Sequence, residues 1–159
     1  MQTSKPRLFL DSNVITDGLV SRFGQSKAIL SLCASRTCRM ILADVVNREV
    51  KKNIENLAVR FGRDSVSTLA ADFERFVHLA RPIVVLPADE VRVRKSRHLI
   101  SHAADVPVIL AAIDSNPDWL ITKNRDHFTD AVAVRTGLRI ASPAEFFTHL
   151  IVGFGGNQE

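Results

Sequence analysis

The sequence contains only two cysteines, Cys33 and Cys38, whose spacing fits neither a disulfide framework nor a CxxC metal pair. We therefore expect both to be reduced and mostly buried thiols. No apolar run approaches the roughly 20 residues needed to span a bilayer. The first residues carry too short an apolar segment for a signal peptide. These absences exclude a disulfide scaffold and a membrane protein, and they favour a cytoplasmic one.

Internal repeats, linkers and low-complexity segments are also missing, so the 159 residues are expected to form one domain, at 1–150, followed by a flexible tail at 151–159. Charged residues make up 24% of the chain and hydrophobic ones 46%, a balance typical of globular proteins. The net charge is +4, with 21 Lys and Arg against 17 Asp and Glu. This charge is compatible with a polyanionic partner but does not require one.

Short β-rich runs alternate with longer stretches of helical periodicity. Strands are predicted at residues 7–10, 39–43, 83–86, 119–122 and 138–140. Helices are predicted at residues 25–38, 44–61, 65–79, 106–113, 131–135 and 143–150. This alternation favours an α/β fold, a three-layer α/β/α sandwich with a central, mostly parallel sheet.

Polar residues follow the predicted strands at points where parallel sheets bind ligands, beyond the carboxyl ends of the strands. These residues form three clusters: Asp11 with Asn13, Asp105 alone at a helix start, and the group Thr122, Lys123, Asn124 and Asp126. Oxygen ligands brought together repel one another unless a cation joins them, and Mg²⁺ or Mn²⁺ suits such ligands. A metal so placed would activate water and stabilise the charge developing on a phosphate.

Three segments stand out: LFLDSNV, the predicted helix DVVNREVKKNI that carries Glu49, and ADVPVILAAIDSNPDWLITKNRDHF. Together they resemble the PIN domain, the metal-dependent ribonuclease fold used by VapC-type toxins of bacterial toxin–antitoxin pairs. The resemblance spans residues 7–149. No single motif decides it, because it depends on their order and spacing together.

The resemblance implies a role for five residues. Asp11 matches the first acid of the family, a metal ligand, and Asn13 the polar residue that accompanies it. Glu49 matches the acid on the helix after the second strand, and Asp105 the acid that opens the central helix. Thr122 matches the hydroxyl residue that closes the next strand. Mg²⁺ or Mn²⁺ held by Asp11, Glu49 and Asp105 is the cofactor that this set implies.

Asn124 departs from the family pattern, because a fourth acid is expected there. An amide still accepts through its oxygen but brings no negative charge, so a second metal would be held more weakly. Asp126, two residues further on, either supplies the missing charge or caps the following turn. We count both Asn124 and Asp126 as candidate catalytic residues.

Cationic and histidine side chains near these acids have two interpretations each. Lys123 and Arg125 are candidates for phosphate contact, whereas the basic segment at 90–98 is either an RNA-binding rim or a solvated face. His98 and His102 have a zinc-capable spacing but lack an HExxH motif and a third soft ligand. His127 contacts substrate or packs within the protein.

These observations predict a divalent-metal-dependent endoribonuclease that cleaves single-stranded RNA and serves as the toxin of a toxin–antitoxin pair. Its expected partners are an RNA substrate, a small antitoxin and, by the resemblance, a second copy of the chain. The alternative, motivated by Asn124, is a PIN-like module that binds RNA or protein without cleaving. An aspartyl-phosphate enzyme using Asp11 is disfavoured, because Asn13 stands where a second acid would be needed.

Overall fold

The computed structural model describes residues 4–155, and it describes side chains up to residue 153. The strands are β1 (Arg7–Leu10), β2 (Arg39–Ala43), β3 (Ile83–Val85), β4 (Trp119–Ile121) and β5 (Ile140–Ala141). The helices are α1 (Ser12–Val20), α2 (Gln25–Ala34), α3 (Asp44–Phe61), α4 (Arg63–Ala80), α5 (Glu90–Lys95), α6 (Val106–Ser115), α7 (Asp130–Thr136) and α8 (Pro143–Gly155).

The five strands form one parallel sheet in the order β3-β2-β1-β4-β5. The central strand β1 is apolar throughout its buried part, with Leu8, Phe9 and Leu10 all fully buried. Such continuous apolar strands are expected where helices cover both faces of a sheet. Helices α1 to α4 pack against one another, and α6 packs on β2 and β3. The predicted three-layer α/β/α sandwich with a parallel sheet is confirmed.

Strands β2 and β3 lie on one side of β1, and β4 and β5 lie on the other. The carboxyl ends of β1 and β4, at this switch point, are therefore the expected ligand-binding crevice. Leu10 pairs with Ile121 in the register of these two strands. The backbone N–H of Asp11 then donates to the carbonyl of Ile121 at 3.0 Å. This pairing brings Asp11 beside Thr122, although the two are far apart in sequence.

Helix α1 was not predicted. Its sequence includes Val14, Ile15 and Thr16, which are β-branched and have low helix propensity, and Gly18, which lowers it further. The helix forms because Asp11 caps its first turn and because Val14 and Ile15 are buried in the core. Tertiary packing therefore outweighs local propensity here.

Helix α2 ends at Ala34, four residues before its predicted end. The chain turns through residues 35–38, where Arg36 takes a left-handed conformation with φ of 59° that no helix continues. Cys38 is consequently outside the helix. Both cysteines are free and buried as predicted, and burial raises the pKa of the Cys33 thiol to about 12.

Helix α3 has its predicted bounds, whereas the end of α8 differs from expectation. Asp44 is the first residue of α3, and its carboxylate pairs with Arg48 at 2.6 Å. Helix α8 continues to Gly155, five residues beyond its predicted end. The flexibility predicted for the tail falls partly on residues 156–159, which lie outside the described residues. None of the described helices is both long and apolar enough to cross a membrane.

Replacing Gly18 with alanine should destabilise the protein by about 1–3 kcal/mol, because α1 and α2 approach too closely for a side chain. A Cβ atom at Gly18 would lie 2.5 Å from Leu30 Cδ1 and 3.0 Å from the carbonyl oxygen of Ser26. Urea unfolding measures the loss. The matched control is Gly153→Ala in α8, where no atom lies within 4 Å of the new Cβ. There helix propensity alone predicts a small gain in the free energy of unfolding. Equal effects at the two positions would contradict this packing.

Candidate active site

Asp11 lies at the end of β1 and at the start of α1, and its side chain is fixed by three hydrogen bonds. The N–H of Ser12 donates to Oδ1 at 2.8 Å, whereas the Thr122 hydroxyl, at 2.7 Å, and the Asn13 amide, at 3.3 Å, donate to Oδ2. Asp11 is only 5% exposed and Thr122 is fully buried. The carboxylate is therefore held in one orientation before any ligand arrives.

Glu49 is brought to the same place by α3. The hydroxyl of Ser12 donates to Glu49 Oε2 at 2.8 Å, while the backbone of Ser12 holds Asp11. One turn further along both helices, the Asn53 amide donates to the Thr16 hydroxyl at 3.3 Å and fixes α3 against α1. Sequence reasoning missed Ser12. The only signal for it was its place between two predicted site residues.

Asp105 closes the 3-10 turn Ala103–Asp105 and occupies the N-cap position of α6. Its side chain makes no capping hydrogen bond to α6. Instead Asp105 Oδ2 lies 2.7 Å from His127 Nδ1. The His127 ring stacks on His102, with centroids 3.4 Å apart and an interplanar angle of 9°. His98 and His102 therefore do not form the pair that their spacing suggested, since His102 faces His127.

The charges of neighbouring acids act on both Asp11 and Glu49. Burial raises the pKa of Asp11, and the charge of Asp105 adds to the effect, against the hydrogen bonds from Thr122 and Ser12. Burial likewise raises the pKa of Glu49, and the charges of Asp11 and Asp105 add to it. A carboxylate whose pKa is raised by burial and by neighbouring negative charge is stabilised by a divalent cation with oxygen ligands. The chemistry of these side chains thus fits Mg²⁺ or Mn²⁺.

The loop after β4 completes one wall of the site. The backbone N–H of Lys123 donates to Asn13 Oδ1 at 3.0 Å, and that of Asn124 donates to the Thr122 hydroxyl at 3.0 Å. Asn124 is half-buried, whereas Asp126 is exposed in the turn that follows. The charges that raise the pKa of Glu49 come from Asp11 and Asp105, and not from Asp126. The structure thus brings Asn124 to the site wall and leaves Asp126 facing solvent.

The two cations of this loop are both paired within the chain. Lys123 Nζ lies 3.1 Å from Asp17 Oδ2, and both side chains are partly exposed. The Arg125 guanidinium bonds to Glu145 at 3.0 Å and also pairs with Asp130. Arg125 therefore ties the loop to α7 and α8, and its predicted phosphate contact would require breaking these bonds.

The basic segment at 90–98 divides into paired and exposed cations. Arg92 forms an ion pair with Asp114 at 2.6 Å, which joins α5 to α6. Arg94, Lys95 and Arg97 are exposed. The segment thus offers three accessible positive charges, and whether they contact RNA stays a prediction.

In the absence of divalent cations, the contribution of Asp11 and Glu49 to the free energy of unfolding should fall as pH rises above about 4, the usual pKa of unfolded carboxyls. Because the folded pKa values of Asp11 and Glu49 are raised, the folded protein binds more protons than the unfolded chain in this interval. The stabilisation is complete below the unfolded pKa and is lost as pH rises through the folded one.

Urea unfolding of the wild type and of Glu49→Gln, measured in EDTA from pH 4 to 7.5, isolates the contribution of Glu49. The variant should lose less stability over this range. Subtracting the two curves removes the opposite contributions of three carboxyls whose pKa values are lowered, Asp17, Asp114 and Glu145. If the stability of the two proteins changed with pH in parallel, the pKa of Glu49 would not be raised in the folded protein.

Comparisons with known proteins agree with the fold. A family model described as PIN domain matches residues 7–126. No curated protein matches the chain in sequence. Three solved structures cover 86% of this chain each, and all share its fold at low sequence identity.

The first of these structures is VapBC2 from Rickettsia felis bound to a promoter DNA fragment, with 14% identity, a TM-score of 0.61 and 98% of its chain covered. The second is FitAcB from Neisseria gonorrhoeae, with 16% identity, a TM-score of 0.58 and 97% covered. The third is FitAB bound to an IR36 DNA fragment, with 16% identity, a TM-score of 0.60 and 94% covered. Because the family model spans most of the chain, this protein belongs to the PIN domain family.

Proposed function

We propose that this PIN domain is a divalent-metal-dependent endoribonuclease that cleaves single-stranded RNA, and that it acts in the cytoplasm as the toxin of a toxin–antitoxin pair. The observation that carries the proposal is the raised pKa of Asp11 and of Glu49, which burial causes first and to which the charge of Asp105 adds. The similarity to VapBC2 and FitAB assemblies supports an antitoxin partner. By family, the active form is expected to be a homodimer.

In this proposal Asp11, Glu49 and Asp105 hold Mg²⁺ or Mn²⁺, and the amide oxygen of Asn124 offers a neutral ligand. The cation would lower the pKa of a water molecule and would supply positive charge that stabilises the negative charge developing on the phosphate. The chain itself orients the site. Ser12 fixes Asp11 and Glu49 at once, so the two carboxylates cannot move independently.

Lys123 is the proposed phosphate contact. Its ion pair with Asp17 is partly exposed, and such pairs contribute about 1 kcal/mol or less. A phosphate can therefore replace Asp17 at little cost. Arg125, which bonds to Glu145 and Asp130, is instead proposed to position the loop.

The purified protein should cleave single-stranded RNA with Mg²⁺ or Mn²⁺ and leave it intact in EDTA. Gel analysis of a labelled oligonucleotide measures this. Cleavage that persists in EDTA would contradict the metal requirement.

The proposed toxin should arrest growth when it is expressed. Co-expression of a small gene adjacent on the chromosome tests the antitoxin, which should relieve this arrest. Light scattering tests the dimer.

The second candidate function is binding of RNA or protein without cleavage, and Asn124 is the observation that favours it. The loss of one charge weakens the site for metal. Calorimetry discriminates the two functions. A binding module would bind RNA, and its metal binding, if any, would be the same in the wild type and in Asp105→Ala. Mg²⁺ binding that is lost both in Asp105→Ala and in Asp11→Asn would support the nuclease, because Asp11 belongs to the acid cluster alone.

A further inference from the structure

We propose that His102, Asp105 and His127 form a second metal site, with mixed nitrogen and oxygen ligands, that takes Zn²⁺ in preference to Mg²⁺. This site shares only Asp105 with the proposed nuclease centre. A zinc site was disfavoured from sequence, because a third ligand was not evident near His98 and His102. The fold supplies that ligand from a loop 25 positions beyond His102.

The geometry brings one ligand atom of each side chain within 4.8 Å of the others. Asp105 Oδ2 and His127 Nδ1 are already 2.7 Å apart, and the His102 ring stacks 3.4 Å from that of His127. Atoms bound about 2.1 Å from one zinc ion lie roughly 3–3.5 Å from each other. The cluster therefore needs a contraction of about 1.8 Å at most, which rotation of the exposed His102 side chain provides.

Two of the three ligands are held in place by the backbone around them. Asp105 closes a 3-10 turn against α6, and the N–H of His127 donates to the Asn124 carbonyl at 3.3 Å within the turn after β4. Arg125 ties that same turn to Glu145 in α8. A site with two preset ligands and one mobile ligand loses little conformational entropy when the ion binds.

The ligand types set the preference among ions. Imidazole nitrogen suits Zn²⁺ and other transition metals, whereas Mg²⁺ prefers oxygen ligands in octahedral geometry. The side chains of His127 and Asp105 retain 32% and 20% of their exposure, which leaves the fourth position open to water. A carboxylate has two oxygens, so Asp105 can face His127 through Oδ2 and serve the acid cluster through Oδ1.

Zinc titration of the full chain by calorimetry, with excess Mg²⁺ and no RNA, tests the proposal. The wild type should bind one Zn²⁺ per chain. His102→Ala and His127→Ala should each weaken binding about tenfold or more, since even partners outside the ligand set contribute on that scale. His98→Ala is the matched control, because His98 is an exposed histidine four residues from His102, and it should bind as the wild type does.

Asp11→Asn separates this site from the acid cluster and should retain Zn²⁺ affinity. Co²⁺ substitution gives a second readout, since the visible absorption of the bound ion should change in His102→Ala. Equal Zn²⁺ affinity in the wild type and His102→Ala would overturn the proposal, as would absence of binding in the wild type. Because no RNA is present, a failure of the proposed nuclease activity would leave this measurement unaffected.

Discussion

Replacing Asp11 with asparagine should lower RNA cleavage by about 100- to 1000-fold. Asp11 is the most buried of the three acids, and its carboxylate supplies one of the negative charges proposed to hold the cation. Asparagine keeps a similar shape and can still accept the Ser12 N–H, so the folded structure should persist. The rate of cleavage of a labelled oligonucleotide in Mg²⁺ measures the effect.

Two controls accompany this variant. Thermal unfolding checks that Asp11→Asn remains folded. Asp114→Asn makes the same chemical change at a partly exposed carboxylate, paired with Arg92, and should cleave RNA as the wild type does. If Asp11→Asn cleaved as fast as Asp114→Asn, the acid cluster would not be the catalytic centre.

Replacing Phe146 with alanine should destabilise the protein by about 3–5 kcal/mol, a large part of the stability of a domain of this size. Phe146 is fully buried, and its ring meets Trp119 edge-to-face with centroids 6.2 Å apart. This contact joins α8 to β4. Residues after 126 lie beyond the match to the family model, yet this packing makes them part of the same core.

The urea midpoint of Phe146→Ala, compared with that of Ile151→Ala, measures this effect. Ile151 is on the same helix but 72% exposed, so its truncation should change stability by about 0.5 kcal/mol or less. Similar midpoints for the two variants would mean that α8 does not belong to the core. Comparable m-values would show that both unfold from the same structure.

The strands and most helices could be predicted from sequence because their apolar patterns are local. Segments such as RLFL and RMILA are short apolar runs whose burial on both faces of the sheet leaves a direct signature. Helix α1 could not be predicted this way, because its stability depends on contacts with α2 and α3 that only the folded chain supplies. The order of the strands is likewise a long-range property.

The site divides in the same manner. Asp11 and Asp105 are predicted from their positions together with the resemblance, and Glu49 from the resemblance alone. In the folded chain the charges of Asp11 and Asp105 act on Glu49. The contact of His127 with Asp105 was missed, since it joins residues 22 positions apart through a turn whose path the sequence does not specify. For Arg125 the sequence predicts a phosphate contact, whereas the structure pairs its guanidinium within the chain. Its acceptors, among them Glu145, come from helices later in the chain, so the sequence could not indicate them.

The bond between Asp11 and Thr122 joins residues 111 positions apart, which sets the order in which the site is completed during synthesis. At about 5–20 residues per second, a ribosome adds Thr122 roughly 6 to 22 seconds after Asp11. Throughout that interval a nascent chain holds Asp11 without the strand that orients it. For the ribonuclease proposed above, this delay would postpone activity until most of the polypeptide has been made.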